Sequence, residues 1–220
     1  FNLSGEVSIS GCGSYYGYSV RCVQDKNSEE PSESQFALCL TYEIMSANQT
    51  VNLAYNVSQC AIAGLDNELI CINYGDGMVG TSLSHTYSEA GIYNVQMTFK
   101  HPISEIGKDA FYNCAEFVGI QLPESLTKIG EYAFLKSGLR GNLMIPDNNV
   151  QIGSNAFALT GEFESFIVPF GTNFTGGSGQ FRYICAKKLY MGANVPDDIN
   201  TWYSGCMFEG ARIEKLIIGN

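Results

Sequence analysis

A six-residue phrase recurs at a fixed interval in the second half of the chain. It reads IGKDAF at residues 106–111, IGEYAF at 129–134 and IGSNAF at 152–157, an interval of 23 residues both times. Periods of about 20 to 50 residues are typical of solenoids, in which each coil buries its apolar face only against its neighbours. The phrase therefore predicts stacked coils, with its Ile, Ala and Phe residues packing one coil against the next.

The segments that follow each phrase contain two further columns of apolar residues. They read GIQLP, NLMIP, SFIVP, KLYMG and KLIIG, and their equivalent positions lie 23, 23, 23 and 27 residues apart. The first column is Ile120, Leu143, Phe166, Leu189 and Leu216, and the second is Leu122, Ile145, Val168, Met191 and Ile218. Equivalent strands of stacked coils lie about 4.8 Å apart in a parallel sheet. We predict that both columns point into the coils and that Phe111, Phe134 and Phe157 close the opposite side.

The first repeat, I-G-x-x-A-F-x-x-C-x-x-F-x-x-I-x-L-P with Cys114 as its cysteine, resembles the BspA-like leucine-rich repeats of bacterial surface proteins. The resemblance covers residues 103–220. Later repeats depart from it, because the Ala-Phe phrase is missing near residue 180 and Cys206-Met207 stands in its place further on. The resemblance implies a short leucine-rich repeat solenoid of about five repeats, which we assign to residues 102–220.

Alternating apolar residues predict β-strands in the first half. FALCLTYEI (36–44), VNLAYNV (51–57) and IYNVQMTF (92–99) carry large apolar side chains at every second position. This period of two indicates strands with one buried face and one solvated face. GEVSIS, YYGYSV and LICINY supply further strands, separated by turns rich in Gly, Asn and Ser. The pattern predicts a mainly β protein whose residues 1–101 form an antiparallel β-sandwich.

Three phrases in this half resemble a known domain. Tyr74-Gly75-Asp76-Gly77 is followed by His85-Thr86-Tyr87 and then by Gly91-Ile92-Tyr93-Asn94-Val95. Together they are similar to the C-terminal half of a polycystic-kidney-disease (PKD) domain, over about residues 69–99. The resemblance implies an immunoglobulin-like sandwich that acts as a spacer or interaction module in extracellular proteins.

Charge and motifs argue against several functional classes. The net charge is −10, and neither half carries the basic stripe that nucleic acid or an anionic membrane would need. No apolar run approaches the roughly 20 residues of a membrane-spanning helix. No nucleophile elbow, phosphate loop or zinc-ligand spacing occurs. We expect a structural hydrogen bond at His85 and an exposed His101, and we predict no active site, no metal and no cofactor.

The eight cysteines leave two interpretations open. None forms a C-x-x-C pair, which argues against a zinc or dithiol site. Cys12 and Cys22 flank a short Gly- and Tyr-rich segment that a disulfide could close, as in exported proteins. Cys39 and Cys71 lie in apolar strands, where free thiols behave as small core residues.

A candidate binding surface follows from the predicted parallel sheet. The residues between the two inward columns should lie on its outer face: Gln121, Met144, Ile167, Tyr190 and Ile217, flanked by Asn142, Ser165, Lys188 and Lys215. An apolar stripe with a polar rim often marks an interaction site. The alternative is that the first domain or further repeats cover the stripe.

These observations predict a non-enzymatic binding or adhesion module that recognises an extracellular protein or glycan. We expect an exported, mature bacterial protein on the outer cell surface, such as a lipoprotein, whose signal peptide is absent from this sequence. The alternative is a structural or spacer fragment of a larger surface protein, or an accessory region of an enzyme.

Overall fold

The computed structural model describes residues 36–53, 69–175, 177, 179–192 and 206–219, and these form strands and turns with no helix. The early segments GEVSIS and YYGYSV, Cys12 and Cys22, and the second half of VNLAYNV lie outside the described residues. The first eight strands are β1 Phe36–Ile44, β2 Gln49–Asn52, β3 Leu69–Asn73, β4 Val79–Gly80, β5 Ser84–Tyr87, β6 Gly91–Phe99, β7 Glu105–Ile106 and β8 Phe117–Gln121. The other seven are β9 Lys128–Ile129, β10 Gly141–Met144, β11 Gln151–Ile152, β12 Glu162–Val168, β13 Asn173–Phe174, β14 Cys185–Met191 and β15 Arg212–Ile218.

The first half contains an antiparallel sheet in the order β4-β3-β6-β1-β8, and a separate antiparallel pair, β2-β5. Strands β1 and β6 pair along their whole length, from Phe36 opposite Phe99 to Ile44 opposite Gly91. The alternation predicted for β1 is confirmed, because every second side chain is buried, as at Leu38 and Leu40. In β6 the alternation is confirmed only in part, because Val95 is buried as predicted but Thr98, expected on the solvated face, is buried as well. The complete PKD-like sandwich stays a prediction, as does the boundary at residue 101.

The second half is a β-solenoid of about four turns with two parallel sheets. One sheet has the order β10-β12-β14-β15, and the other consists of the two-residue strands β13-β11-β9-β7. In the first sheet Leu143 lies opposite Phe166, Phe166 opposite Leu189, and Leu189 opposite Leu216. This register confirms the alignment of the predicted columns from the second repeat onward, and their members on β10, β12 and β14, or just after β10, are buried. The inward orientation predicted for the last members is wrong, because Leu216 and Ile218 on the edge strand β15 are 49% and 59% exposed. In the other sheet the isoleucines of the hexapeptides align, since Ile106 and Ile152 both lie opposite Ile129.

The strand of the first repeat departs from the predicted parallel sheet. Two hydrogen bonds begin the ladder between coils, from the Gly138 amide to the Cys114 carbonyl at 3.0 Å and from the Arg140 amide to the Val118 carbonyl at 3.1 Å. On its other side β8 pairs antiparallel with β1 along its length, from Phe117 opposite Tyr42 to Gln121 opposite Cys39. Strand β1 therefore has partners on both sides, β6 and β8. One hydrophobic core consequently runs from the antiparallel sheet into the coils.

The phenylalanine column is longer than the repeated phrase predicts. Phe111, Phe134 and Phe157 are fully buried, with ring centroids 5.5 and 5.1 Å apart along the stack. Phe181 stacks on Phe157 at 5.9 Å, and Phe208 stacks on Phe181 at 5.4 Å. The prediction that the phrase is lost near residue 180 is therefore wrong for its aromatic residue. Gln180 replaces the usual alanine, and the phenylalanine after it keeps the packing.

Residues with positive φ, in the left-handed region, lie two positions before and two positions after the column phenylalanines from Phe111 to Phe181. Asn113, Lys136, Leu159 and Tyr183, two positions after a column phenylalanine, have φ of 55°, 57°, 54° and 56°. Their amides donate to the following coil, as in the 3.0 Å bond from Lys136 to the Ala158 carbonyl. A left-handed conformation costs a non-glycine residue roughly 1–2 kcal/mol. The hydrogen bonds between coils offset this cost.

Two glycines of the hexapeptides, Gly130 and Gly153, lie where successive coils come too close together for a side chain. A Cβ at Gly130 would lie 2.5 Å from the Lys108 backbone nitrogen and 2.6 Å from the Gly107 carbonyl carbon. A Cβ at Gly153 would lie 2.6 Å from the Glu131 nitrogen. All three distances are far below van der Waals contact. The atoms that the added Cβ would meet belong to backbone that is hydrogen-bonded between coils. The glycine in the phrase is therefore required by the spacing of the coils.

Candidate functional site

The outer face of the β10-β12-β14-β15 sheet carries a continuous row of apolar side chains. Met144 lies opposite Ile167, Ile167 opposite Tyr190, and Tyr190 opposite Ile217. Met144 is 59% exposed, and the other three side chains are half-buried. We call these four residues the apolar row. Gln121 is exposed, but it lies in β8 beside β1, so the structure does not bring it together with the row.

A second row on the same strands is polar and ends in two lysines. Asn142 lies opposite Ser165, and Lys188 lies opposite Lys215. Both lysines are exposed, and neither forms an ion pair with any residue that the structure describes. We call Lys188 and Lys215 the lysine pair. Directly opposed like charges on adjacent strands destabilise a sheet slightly.

Three other lysines of the second half form ion pairs with glutamates. The ammonium of Lys187 lies 2.6 Å from the Glu164 carboxylate, and this hydrogen bond raises the pKa of Lys187. The same arrangement joins Lys108 to Glu131 at 2.8 Å and Lys128 to Glu105 at 2.7 Å. In all three pairs the two residues are 23 positions apart. Opposite charges at the repeat interval are the sequence signal that could have predicted these pairs.

A polar and aromatic cluster lies at the Gly-Asp-Gly turn of the first half. His85 Nε2 lies 2.7 Å from Asp76 Oδ2, and its ring stacks on Tyr74 with centroids 3.9 Å apart. Tyr87 contacts the edge of His85 at 4.7 Å and donates its hydroxyl to the Tyr74 carbonyl at 3.0 Å. Burial raises the pKa of the Tyr87 hydroxyl. The structure thus confirms the hydrogen-bonding role expected for His85, and it shows His101 exposed.

Asp76 is held as a carboxylate within this cluster. Its partial burial alone would raise its pKa, but hydrogen bonds from His85 and from the Met78 amide, the latter at 2.9 Å, outweigh burial. The net effect is a pKa below the usual value of 3.8. Both oxygens of the carboxylate therefore have partners inside the turn, which describes a structural cluster and not an exposed acid or base.

This arrangement predicts a specific loss of stability in acid. A group whose pKa is lowered by folding stabilises the native state above its unfolded pKa, and this contribution is lost as the pH falls through the folded value. We expect the free energy of unfolding to decrease as the pH is lowered below about 4. The variant Asp76→Asn should lose part of this pH dependence. Urea unfolding between pH 3 and pH 7 measures the effect, with Asp147→Asn, an exposed turn residue, as the control. Equal slopes for the two variants would contradict this role for Asp76.

Cys71, Cys114 and Cys185 carry thiols in the structure. Cys114 is buried within the first coil, and burial raises the pKa of its thiol to about 12. Its Sγ donates to the Tyr112 carbonyl at 3.6 Å. Cys114 therefore behaves as a small core residue. Cys39 and Cys71, for which that role was predicted, are only half-buried. The alternative, a disulfide between Cys12 and Cys22, concerns residues outside the described ranges.

Two further findings concern metal sites and membranes. Within the described ranges, no group of three or more His, Cys, Asp or Glu side chains comes close enough together to hold a metal ion. Those same ranges contain no helix of the length and hydrophobicity needed to cross a membrane.

Comparison with known proteins gives one match. The family model described as the BspA type leucine-rich repeat region matches residues 85–218, in six copies. Neither the curated proteins nor the solved structures gave a significant match. Repeats of this type are commonly protein-binding or adhesion modules, and they are typical of bacterial surface or secreted proteins.

Proposed function

Because the chain belongs to the BspA-type leucine-rich repeat family, we propose that it is a non-enzymatic binding module of an exported bacterial protein, acting in adhesion to an extracellular protein or glycan. The observation that carries the proposal is the apolar row, Met144, Ile167, Tyr190 and Ile217, aligned by register across four strands. Exposed apolar side chains with a polar border are characteristic of interaction surfaces.

The contacts that His85 and Asp76 make within the protein support a non-enzymatic role. His85 and Asp76 hydrogen-bond each other, Asp76 also closes its own turn, and the ring of His85 is stacked on Tyr74. Catalytic acids and bases need an oriented partner and a free face toward substrate. These side chains have the partner, but their contacts support the turn.

The assignment of the first half as a PKD-like domain is also a proposal. Its antiparallel strands, the Gly-Asp-Gly turn and the His85 hydrogen bond support a PKD-like domain that holds the coils away from the surface to which the protein is attached. The described strand β8 supports this role, because it pairs with β1 and gives the two halves a shared core.

The binding proposal is tested with the double variant Ile167→Ser/Tyr190→Ser. Immobilised wild type and variant are exposed to an array of extracellular proteins and glycans, and thermal unfolding of each is recorded. We expect the variant to lose the wild-type signals at least tenfold, since truncating a central apolar anchor costs about 2 kcal/mol or more. Its melting temperature should stay within a few degrees of the wild type, because neither side chain is in the core.

The matched control carries serine at two exposed apolar positions elsewhere, Ile92 and Phe170, which are 67% and 63% exposed. It should retain the wild-type signals. A large fall in melting temperature for the Ile167/Tyr190 variant would mean that another part of the protein covers the row. That result, or equal signals for variant and wild type, would overturn the proposal and favour a spacer or accessory role.

A further inference from the structure

We propose that the outer face of the parallel sheet binds an extended, acidic segment of a partner protein, with a carboxylate of that segment placed on the lysine pair. This inference rests on the proposed function and adds the chemistry and size of the ligand. It is carried by the juxtaposition of the apolar row with Lys188 and Lys215 on the same strands.

The lysine pair is a local exception in an acidic chain. The net charge is −10, yet Lys188 and Lys215 occupy opposed positions of β14 and β15, and the backbones of adjacent strands are about 4.8 Å apart. Their neighbour Lys187 already has Glu164 as its partner. A carboxylate between the two side chains would replace their mutual repulsion with two charge-assisted hydrogen bonds.

The apolar row sets the length of the ligand. From Met144 on β10 to Ile217 on β15 there are three strand spacings, which amount to about 14 Å. An extended chain advances about 3.3 Å per residue. A segment of about five residues lying across the strands would therefore contact all four side chains.

The position of the charges sets the direction of that segment. The polar row begins with the neutral Asn142 and Ser165 on β10 and β12, and it ends with the lysines on β14 and β15. Apolar residues of the segment would cover the β10 end, and its acidic residue would lie near Tyr190. A polypeptide fits this surface better than a glycan, because sugar hydroxyls held against Met144 and Ile167 would lose hydrogen bonds to water without replacement.

The test uses a displayed library of random heptapeptides, selected on the whole protein at 0.15 M salt. At that ionic strength the screening length is about 8 Å, so the general negative charge is largely screened while contacts with the lysine pair are kept. We expect the selected peptides to combine apolar residues with Asp or Glu at one end. Each selected peptide is then synthesised with its acidic residue and, as a matched probe, with Asn or Gln in its place.

Two variants with the same change in net charge separate the local effect from the general one. Lys188→Gln/Lys215→Gln should weaken binding of the acidic peptide about tenfold or more, the effect of losing hydrogen bonds to a charged group, and should bind both probes alike. Lys100→Gln/Lys136→Gln, at exposed positions outside the sheet, should bind as the wild type does. The first variant should unfold at the same temperature as the wild type or slightly higher, because it removes a like-charge contact.

The outcomes separate this inference from the proposed function. Two results would each overturn the inference of an acidic ligand and would leave the proposal that this face binds a partner intact. In the first, the selected peptides lack acidic residues. In the second, the Lys188/Lys215 variant binds them unchanged while Ile167→Ser/Tyr190→Ser does not. If no peptide is selected, or if the Ile167/Tyr190 variant binds them as the wild type does, both are overturned.

Discussion

Phe134→Ala is expected to lower the free energy of unfolding by about 3–5 kcal/mol, the usual cost of truncating a buried phenylalanine. Its ring is fully buried and stacks between Phe111 and Phe157, with centroids 5.5 and 5.1 Å away. It also lies 6.0 Å from Phe117, the first residue of the strand shared with the antiparallel sheet. Removing it leaves a cavity that the neighbouring coils cannot close, because hydrogen bonds between coils fix their spacing.

Urea unfolding followed by circular dichroism measures this effect. The matched control is Phe170→Ala, which removes the same atoms from a side chain that is 63% exposed. We expect the control to change the free energy of unfolding by less than about 0.5 kcal/mol. A loss below about 1 kcal/mol at Phe134 would contradict the continuous aromatic stack.

Gly130→Ala is expected to destabilise the protein by at least about 3 kcal/mol, the upper end of the range for overpacking a tight interior. The added Cβ would lie 2.5 Å from the Lys108 nitrogen and 2.6 Å from the Gly107 carbonyl carbon. The Asp109 and Gly130 amides are held in hydrogen bonds between coils at 3.0 and 2.7 Å. The backbone can relieve the contact only by lengthening such bonds.

Gly91→Ala separates this steric effect from a general effect of replacing glycine. A Cβ at Gly91 would have its nearest contact at 3.6 Å, to the ring of Tyr93, which is ordinary van der Waals contact. Its free energy of unfolding should stay within about 0.5 kcal/mol of the wild type. Equal unfolding midpoints for the two alanine variants in urea would show that the coils can separate at little cost.

Periodicity predicted the parts of the structure that depend on adjacent coils. The column from Leu143 to Leu216 is aligned in the sheet as its spacing required, and the Phe111, Phe134 and Phe157 side chains are buried as predicted. Each of these side chains contacts the equivalent side chain one repeat away. Because this contact recurs in every coil, it appears in the sequence as a constant interval between similar residues. The apolar row followed from the same reasoning, since it lies between two inward columns.

Features that break the interval were missed. Phe181 and Phe208 follow at intervals of 24 and 27 residues, and Gln180 replaces the alanine that marked the phrase, so the column appeared to stop. The pairing of β8 with β1 joins residues that are at least 75 positions apart in the sequence, and no local pattern in either strand specifies it. The tight contact at Gly130 depends on the distance between coils, which residue spacing alone does not provide.

The place of β8 sets the first coil apart from the coils that follow it. A solenoid ordinarily loses its repeats one by one, because each coil is held only by its neighbours. Loss of structure that begins in the later coils can pass from β15 toward β10 in this way. At the first coil it meets a strand that also belongs to the antiparallel sheet, and removing that coil would uncover the edge of β1. The first coil is therefore held by the antiparallel sheet as well as by the second coil, and we expect it to be the last of the described coils to unfold.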